Sequence, residues 1–254
     1  MPEGLLIDLS GVLYAGNKAL PGAIEALEKV RAHRIPHLFL TNTTRRTRQQ
    51  LADHLNNLGF YLDPGRIQTA VEATASYLRE RRLTPYLLIQ PSVKGAFADL
   101  AGPLHNAVVL GDAGEGFDYD HLNRAFRLVM DGAPLIAMGD NRYFRDEDGG
   151  LSLDIGPFKA ALAYAAEVEA TVIGKPSATF FHMACQHLAL KPEDTLMIGD
   201  DAENDVKAAM DAGLQGCLVK TGKYRESDED KCPRADLQPD FASAVEAVLK
   251  NGEG

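Results

Sequence analysis

The chain has 254 residues, enough for one large domain or two smaller ones. Its formal net charge of −10 argues against a general affinity for nucleic acid or anionic membranes, although a divalent cation can still draw an anionic substrate into an acidic pocket. No segment approaches the about 20 apolar residues of a membrane span, and the N-terminus lacks the basic start of a signal peptide. The three cysteines (Cys185, Cys217 and Cys232) have no metal-ligand spacing. These features predict a cytoplasmic protein without nucleic-acid or membrane partners.

The first third of the chain predicts two buried parallel strands with polar residues at their ends. Leu5, Leu6 and Ile7 run into Asp8, and Gly11 allows the chain to turn away tightly. A second apolar run over 35–40 ends in Thr41 and Asn42. A first helix is predicted to open at Leu20-Pro21-Gly22, with Ile24, Leu27 and Val30 on one face, and others from about 45 to 58 and over 71–82.

From Pro85 the alternation of short apolar runs and helical patterns begins again. It predicts strands over 86–89, 107–110 and 135–138, and helices over 93–100, 119–130 and 157–168, with a polar turn over 146–150. These elements suffice for a small α/β layer of their own.

The last third predicts two further strands that deliver charged residues. A strand over 171–173 leads to Lys175, and a strand over 195–198 leads to Asp200 and Asp205. A helix to His187, another over 206–212, a strand over 216–219 and a helix over 242–249 complete the pattern.

The polar groups at these four strand ends are the parts that phosphoryl transfer requires. The carboxyl ends of parallel strands lie along one edge of a sheet, where α/β proteins bind ligands. Carboxylates hold Mg²⁺, and lysine, threonine and asparagine side chains bind phosphoryl oxygens. One carboxylate can attack phosphorus to give an aspartyl-phosphate. Taken singly, each group also has an ordinary structural interpretation, as a helix cap, a surface lysine or a solvated turn.

The four segments together resemble the motifs of the haloacid dehalogenase superfamily. They are Asp8-Leu9-Ser10-Gly11-Val12, Thr41-Asn42, Gly174-Lys175-Pro176, and Gly199-Asp200-Asp201 through Asp205. The resemblance implies an α/β fold: a Rossmann-like, three-layer core with a parallel sheet over 1–82 and 170–254, and an inserted α/β cap of type 2 over 83–169. The likeness is greatest to the branch of phospholysine phosphohistidine inorganic pyrophosphate phosphatases, which share Asp-x-Ser-Gly and phrases similar to Lys220-Thr221-Gly222-Lys223.

The resemblance also implies a role for each motif residue. Asp8 is expected to be the nucleophile and an Mg²⁺ ligand, and Ser10 to offer its backbone carbonyl to the metal. Thr41, Asn42 and Lys175 are expected to bind the phosphoryl group. The other metal ligands are expected to be Asp200, directly, and Asp205, from the outer shell, with Asp201 as a further candidate for that outer role.

Ser10 departs from the pattern of most phosphatases in the superfamily, which have an aspartate there. That aspartate protonates the leaving group and then activates water, a role worth roughly 10²–10⁴-fold. A serine is a poor proton donor at neutral pH, so we expect a preference for leaving groups that need little help, such as those of pyrophosphate or a phosphoramidate.

The sequence therefore predicts an Mg²⁺-dependent phosphatase acting on a small phosphorylated compound, with a homodimer implied by the resemblance. Six polar or aromatic residues of the insertion are candidates to face the substrate: Glu115, Asp118, Tyr119, Asn141, Arg142 and Tyr143. The alternative is a catalytically weak member of the family that binds phosphate or a phosphoprotein. A response-regulator receiver domain would carry its acidic pair on the first strand, and a dinucleotide-binding domain would show Gly-x-Gly-x-x-Gly after it.

Overall fold

The computed structural model describes residues 2–145 and 150–250. Its strands, in chain order, are β1 (Gly4–Asp8), β2 (Tyr14–Ala15), β3 (Lys18–Ala19), β4 (His37–Thr41), β5 (Ile67–Thr69), β6 (Pro85–Leu88), β7 (Ala107–Leu110), β8 (Leu135–Ala137), β9 (Tyr143–Arg145), β10 (Leu151–Leu153), β11 (Thr171–Val172), β12 (Thr195–Gly199), β13 (Gln215–Val219) and β14 (Asp236–Gln238). Its α-helices are α1 (Ala23–Ala32), α2 (Arg48–Asn57), α3 (Ala70–Arg81), α4 (Tyr119–Met130), α5 (Ile155–Ala166), α6 (Ala178–Leu188), α7 (Ala208–Asp211) and α8 (Phe241–Lys250). The turn predicted over 146–150 lies, except for Gly150, outside the described residues.

The chain forms two compact units. The core unit consists of Met1–Thr41, Arg48–Gln68 and Lys175–Gly254, and the insert unit of Asn42–Thr47 and Thr69–Gly174. The sequence predicted two domains, one over 1–82 with 170–254 and the other over 83–169. This division into domains stays a prediction.

The core unit is built on a six-stranded sheet in the order β14-β13-β12-β1-β4-β5. β1 lies between β12 and β4 and is parallel to both. Its residues alternate between two buried faces of the sheet. Leu5 and Ile7 belong to one apolar cluster with residues of α1, α2 and α8. Leu6 is also completely buried but does not belong to that cluster. On the opposite face, Leu218 of β13 packs with Val206. Helical residues therefore cover both faces of the sheet, which makes the core unit three-layered.

The insert unit contains a four-stranded parallel sheet in the order β11-β8-β7-β6. One of its two inner strands, β7, is completely buried, as expected for a strand between two parallel neighbours. A two-stranded antiparallel sheet of β9 and β10 accompanies it. The predicted α/β fold with parallel sheets is confirmed.

Two predicted helices take other forms. Pro91–Leu100 is a run of 3₁₀ turns, and Gly95 in its middle lowers the stability of an α-helix there. The helix predicted over 206–212 begins as a π-helical turn over Ala202–Lys207 and continues as α7. Within the described part of the chain, no helix combines the length and apolar character that crossing a bilayer requires.

Candidate active site

Asp8 is the last residue of β1, next to the middle of the six-stranded sheet. Leu5, Leu6 and Ile7 before it are completely buried, so the strand fixes the position at which the carboxylate leaves the sheet. Asp8 itself is only 7% exposed. A carboxylate buried to this extent requires charged or polar partners, because its ionised form has lost most of its hydration.

Asp200 and Asp205 come from the neighbouring strand, β12. Asp200 follows the strand directly, and Asp205 lies in the π-helical turn that comes next. Both are almost completely buried, at 1% and 2% exposure. Gly199 has no room for a side chain, because a Cβ there would overlap the Asp205 side chain. The absence of a side chain at this position therefore allows Asp205 to fold back over the strand end.

The three carboxylates of Asp8, Asp200 and Asp205 form one cluster, in which one oxygen from each residue lies within 4.8 Å of the other two. Burial, reinforced by the negative charges of Asp8 and Asp205, raises the pKa of the Asp200 carboxyl to about 7. Burial also raises the pKa of Asp205 to about 6, although Lys175 opposes the shift. Buried carboxylate oxygens at this spacing are the ligand set of a hard divalent cation, so the residues present fit Mg²⁺.

Lys175 joins two members of the cluster. Its Nζ atom forms one ion pair with Asp8 Oδ1 and a second with Asp205 Oδ1 at 2.7 Å. Burial alone would lower the pKa of Lys175, but the charges of Asp205 and Asp8 raise it above the ordinary value. The lysine is therefore charged, and it holds the Asp8 carboxylate in one position.

The route by which Lys175 reaches this cluster differs from the prediction. β11 pairs with β8 in the four-stranded sheet, whereas the sequence predicted that the strand before Lys175 would share a sheet with β1 and β12. Lys175 is the residue at which the chain re-enters the core unit. A two-residue strand contains too little pattern to indicate which sheet it joins.

A loop after β13, Thr221-Gly222-Lys223, completes the surroundings of Asp200. Thr221 donates a hydrogen bond through Oγ1 to the carbonyl of Gly11 at 2.5 Å, and the backbone N–H of Lys223 donates to Asp200 Oδ2 at 2.7 Å. Gly11 and Gly222 both have positive φ, at 90° and 59°, and a Cβ on either would overlap the Asp200 carboxylate. The residue pattern alone did not predict a role for this loop. The signals in the sequence that could have indicated one are its glycine and its position after a buried strand.

The remaining predicted site residues lie near strand ends. Thr41 is the last residue of β4, which pairs with β1 so that Leu40 is opposite Asp8. Asn42 follows it and belongs to the insert unit. Ser10 is exposed, and it forms an isolated bridge with Tyr14. The roles predicted for Thr41, Asn42 and Ser10 stay predictions, as do those of the clustered residues Asp8, Lys175, Asp200 and Asp205.

The insert unit contains a charged pair that the sequence did not suggest. Arg45 forms an ion pair with Asp112, which is 67 residues away in the chain and 6% exposed, and its guanidinium lies 4.2 Å from the centre of the Phe144 ring. Among the six candidates of this unit, Asp118 caps α4 by accepting a hydrogen bond from the backbone N–H of His121. Tyr119 is exposed on that helix.

Comparison with known proteins agrees with this geometry. The family described as haloacid dehalogenase-like hydrolase matches residues 5–100, and a second description of the same kind of hydrolase matches residues 172–245. The chain is 43% identical to haloacid dehalogenase-like hydrolase domain-containing protein 2 of Bos taurus over 251 residues, which is 98% of this chain and 96% of that protein. It is 40% identical to phospholysine phosphohistidine inorganic pyrophosphate phosphatase of Rattus norvegicus, over 98% of this chain and 95% of that protein.

Solved structures show the same fold. A 4-nitrophenylphosphatase from Thermotoga maritima superimposes with a TM-score of 0.88 at 25% identity, over 97% of each chain. NagD from E. coli K-12 gives a TM-score of 0.87 at 25% identity, over 95% of this chain and 97% of that one. The predicted family is confirmed: the chain belongs to the haloacid dehalogenase-like hydrolases.

Proposed function

We propose that the chain is an Mg²⁺-dependent phosphatase that transfers a phosphoryl group to Asp8 before water releases it. The observation that supports this most directly is the cluster of Asp8, Asp200 and Asp205 with Lys175 paired to two of its members. When bound by Asp8, Asp200 and the carbonyl of Ser10, with Asp205 further out, Mg²⁺ would supply positive charge beside the phosphoryl oxygens.

The reaction proceeds in two displacements at phosphorus. In the first, a carboxylate oxygen of Asp8 forms a bond to phosphorus while the bond to the leaving group breaks, and the leaving group takes the electron pair. In the second, water attacks phosphorus, the bond to the Asp8 oxygen breaks, and inorganic phosphate leaves with Asp8 restored. Lys175 orients Asp8 and balances its charge in both steps, while Thr41 and Asn42 donate hydrogen bonds to the phosphoryl oxygens.

The substrate is a small phosphorylated compound with a leaving group that needs no proton from the enzyme. Ser10 leaves this position without a carboxylic acid, which favours pyrophosphate, whose leaving group is a stable phosphate, or a phosphoramidate, whose amine can leave already protonated. The names of the rat relative and the Thermotoga structure, a pyrophosphate phosphatase and a nitrophenylphosphatase, support this class of chemistry. We extend the proposal to a cytoplasmic homodimer.

Phosphate release tests the proposal directly. Pyrophosphate, a phosphoramidate and 4-nitrophenyl phosphate are supplied with Mg²⁺ or with a chelator, to the parent protein and to Asp8→Asn. We expect Mg²⁺-dependent release that Asp8→Asn abolishes, because the amide is not a nucleophile. Asp53→Asn makes the same change on the exposed surface of α2 and should release phosphate at the parent rate. Equal release by the parent and Asp8→Asn would overturn the mechanism.

A second candidate function is phosphate or phosphoprotein binding without useful turnover. The observation that favours it is Ser10, because most phosphatases of the superfamily that the motifs resemble have an aspartate at this position, which acts as the acid and base. Mg²⁺ binding without release from any of the three substrates would support this function over the first.

A further inference from the structure

Lys223 is a second lysine at the carboxylate cluster. Its backbone N–H donates to Asp200 Oδ2 at 2.7 Å, so the residue is fixed at the cluster by its main chain. Its side chain is 68% exposed and reaches Asp201 Oδ2 at 3.3 Å. The main chain is therefore held in place while the ammonium group is in contact with solvent.

Asp201 does not depend on Lys223 for its hydrogen bonds. Its carboxylate accepts three others: from the backbone N–H of Glu203 at 3.2 Å, and from the backbone N–H and side-chain Nδ2 of Asn204 at 2.9 and 3.0 Å. An exposed ion pair at 3.3 Å adds little to stability. Lys223 can therefore leave Asp201 for another anion at small cost.

The negative charge of the carboxylate cluster repels an anionic substrate, so a further cation is needed when such a substrate binds. Asp8, Asp200 and Asp205 contribute three carboxylates, and Asp201 beside them contributes a fourth. Lys175 is 4% exposed and is engaged by two of these groups, so it has no freedom to follow the substrate. Of the two lysines that the described residues place in ion pairs with these four carboxylates, only Lys223 has an exposed ammonium.

We infer that the ammonium of Lys223 binds the leaving phosphate of a phosphoanhydride, with inorganic pyrophosphate as the simplest example. This inference rests on the proposed function and makes it more specific. The leaving group of pyrophosphate is itself an anion, and a lysine on a flexible stem can follow it. The amine that leaves a phosphoramidate is neutral or positive, so Lys223 gives it no help. The lysine therefore favours anhydrides over phosphoramidates.

Kinetic specificity is the first test. The ratio of kcat/KM for pyrophosphate to kcat/KM for a phosphoramidate is measured for the parent, Lys223→Gln and Lys223→Arg. A charge-assisted hydrogen bond to phosphate predicts that Lys223→Gln lowers this ratio by about 10–100-fold, while Lys223→Arg retains most of it. Lys220→Gln removes the same charge three residues away, at an exposed site beside the Tyr224 ring, and should leave the ratio unchanged. An unchanged ratio in Lys223→Gln would overturn the inference.

A measurement of binding without turnover distinguishes this inference from the phosphatase proposal. Calorimetry on Asp8→Asn, with saturating Mg²⁺, gives the preference for pyrophosphate over inorganic phosphate without any turnover. We expect Lys223→Gln in this background to reduce that preference at least about tenfold. If the parent hydrolyses nothing while this effect is present, the phosphatase proposal fails and the role of Lys223 stands. If Asp8→Asn binds pyrophosphate no more tightly than phosphate, or if Lys223→Gln leaves the preference intact, the inferred role of Lys223 is wrong, whatever turnover the parent shows.

Discussion

Ser10 is two residues beyond the proposed nucleophile, and it is an exposed residue. Replacing it with aspartate would supply the carboxyl group that protonates a leaving alkoxide, an effect worth roughly 10²–10⁴-fold in other enzymes. We expect Ser10→Asp to raise kcat on an alkyl phosphate at least about tenfold, with a much smaller gain on pyrophosphate, whose leaving group needs no proton. Initial rates of phosphate release on the two substrates measure this.

The matched control for this prediction is Ser10→Asn. Asparagine has nearly the shape of aspartate but cannot act as a general acid or base at neutral pH, so it should not increase the rate. A similar gain in both variants would point to shape or solvation rather than proton transfer. No gain in Ser10→Asp would remove the explanation given for the preferred leaving groups.

Individual site residues were predictable where a buried strand delivers them. Asp8 and Asp200 each follow a continuous apolar run, and the parallel pairing of β1 with β12 brings the two runs side by side. Lys175 was identified from its neighbours in sequence. The sheet to which the preceding strand belongs was not predicted, because that strand pairs in the four-stranded sheet rather than beside β1. Lys223 could not be derived from residue patterns, since its position depends on a hydrogen bond from its main chain to Asp200.

Among the elements, the loop Thr221-Gly222-Lys223 controls the position of the Asp200 carboxylate. Gly222 has a φ of 59°, and a Cβ there would approach the Gly11 Cα to 2.6 Å as well as overlapping Asp200. We expect Gly222→Ala to lower the free energy of unfolding by more than the about 1–2 kcal/mol of a left-handed alanine, and to weaken Mg²⁺ binding. Urea unfolding and the Mg²⁺-dependent increase in Tm measure the two effects.

Gly16→Ala separates backbone strain from contact with the site. Gly16 has nearly the same φ, 58°, but nothing lies within 4 Å of where its Cβ would be. The substitution should therefore carry only the conformational cost and leave Mg²⁺ binding unchanged. If Gly222→Ala behaved like Gly16→Ala in both measurements, the loop would have no part in holding Asp200.

Two elements with a strong pattern were predicted to the residue, whereas some of the shortest strands were not predicted at all. The limits of β7 and α4 agree with the prediction, because a buried apolar run and an amphipathic helix each carry a full pattern. The two-residue strands β2 and β3 and the three-residue β14 offer no alternation to detect. Their pairing depends on the neighbouring strands rather than on their own sequence.

At the scale of the whole molecule, the cluster of buried carboxylates links stability to pH and to metal. Without metal, burial and the charges of Asp8 and Asp205 raise the pKa of Asp200 to about 7. The unfolded chain has an ordinary aspartate there, with a pKa of about 3.9. Between these values the folded state binds more protons than the unfolded state, so the free energy of unfolding contributed by Asp200 is greatest below about pH 4 and falls as the pH rises towards 7.

We therefore expect Mg²⁺ to stabilise the protein more at high pH than at low pH. Ionised carboxylates repel one another in the metal-free fold but attract the cation, so Mg²⁺ and protons compete for the same oxygens. Thermal unfolding at about pH 5.5 and about pH 7.5, each with a chelator and with excess Mg²⁺, should show the larger Mg²⁺-dependent rise in Tm at the higher pH. In the chelator, Asp200→Asn should become more stable than the parent as the pH rises, by on the order of a few kcal/mol, because it removes a carboxylate that is buried and repelled by Asp8 and Asp205. An Mg²⁺ effect of equal size at both pH values would mean that the cation binds away from these carboxylates.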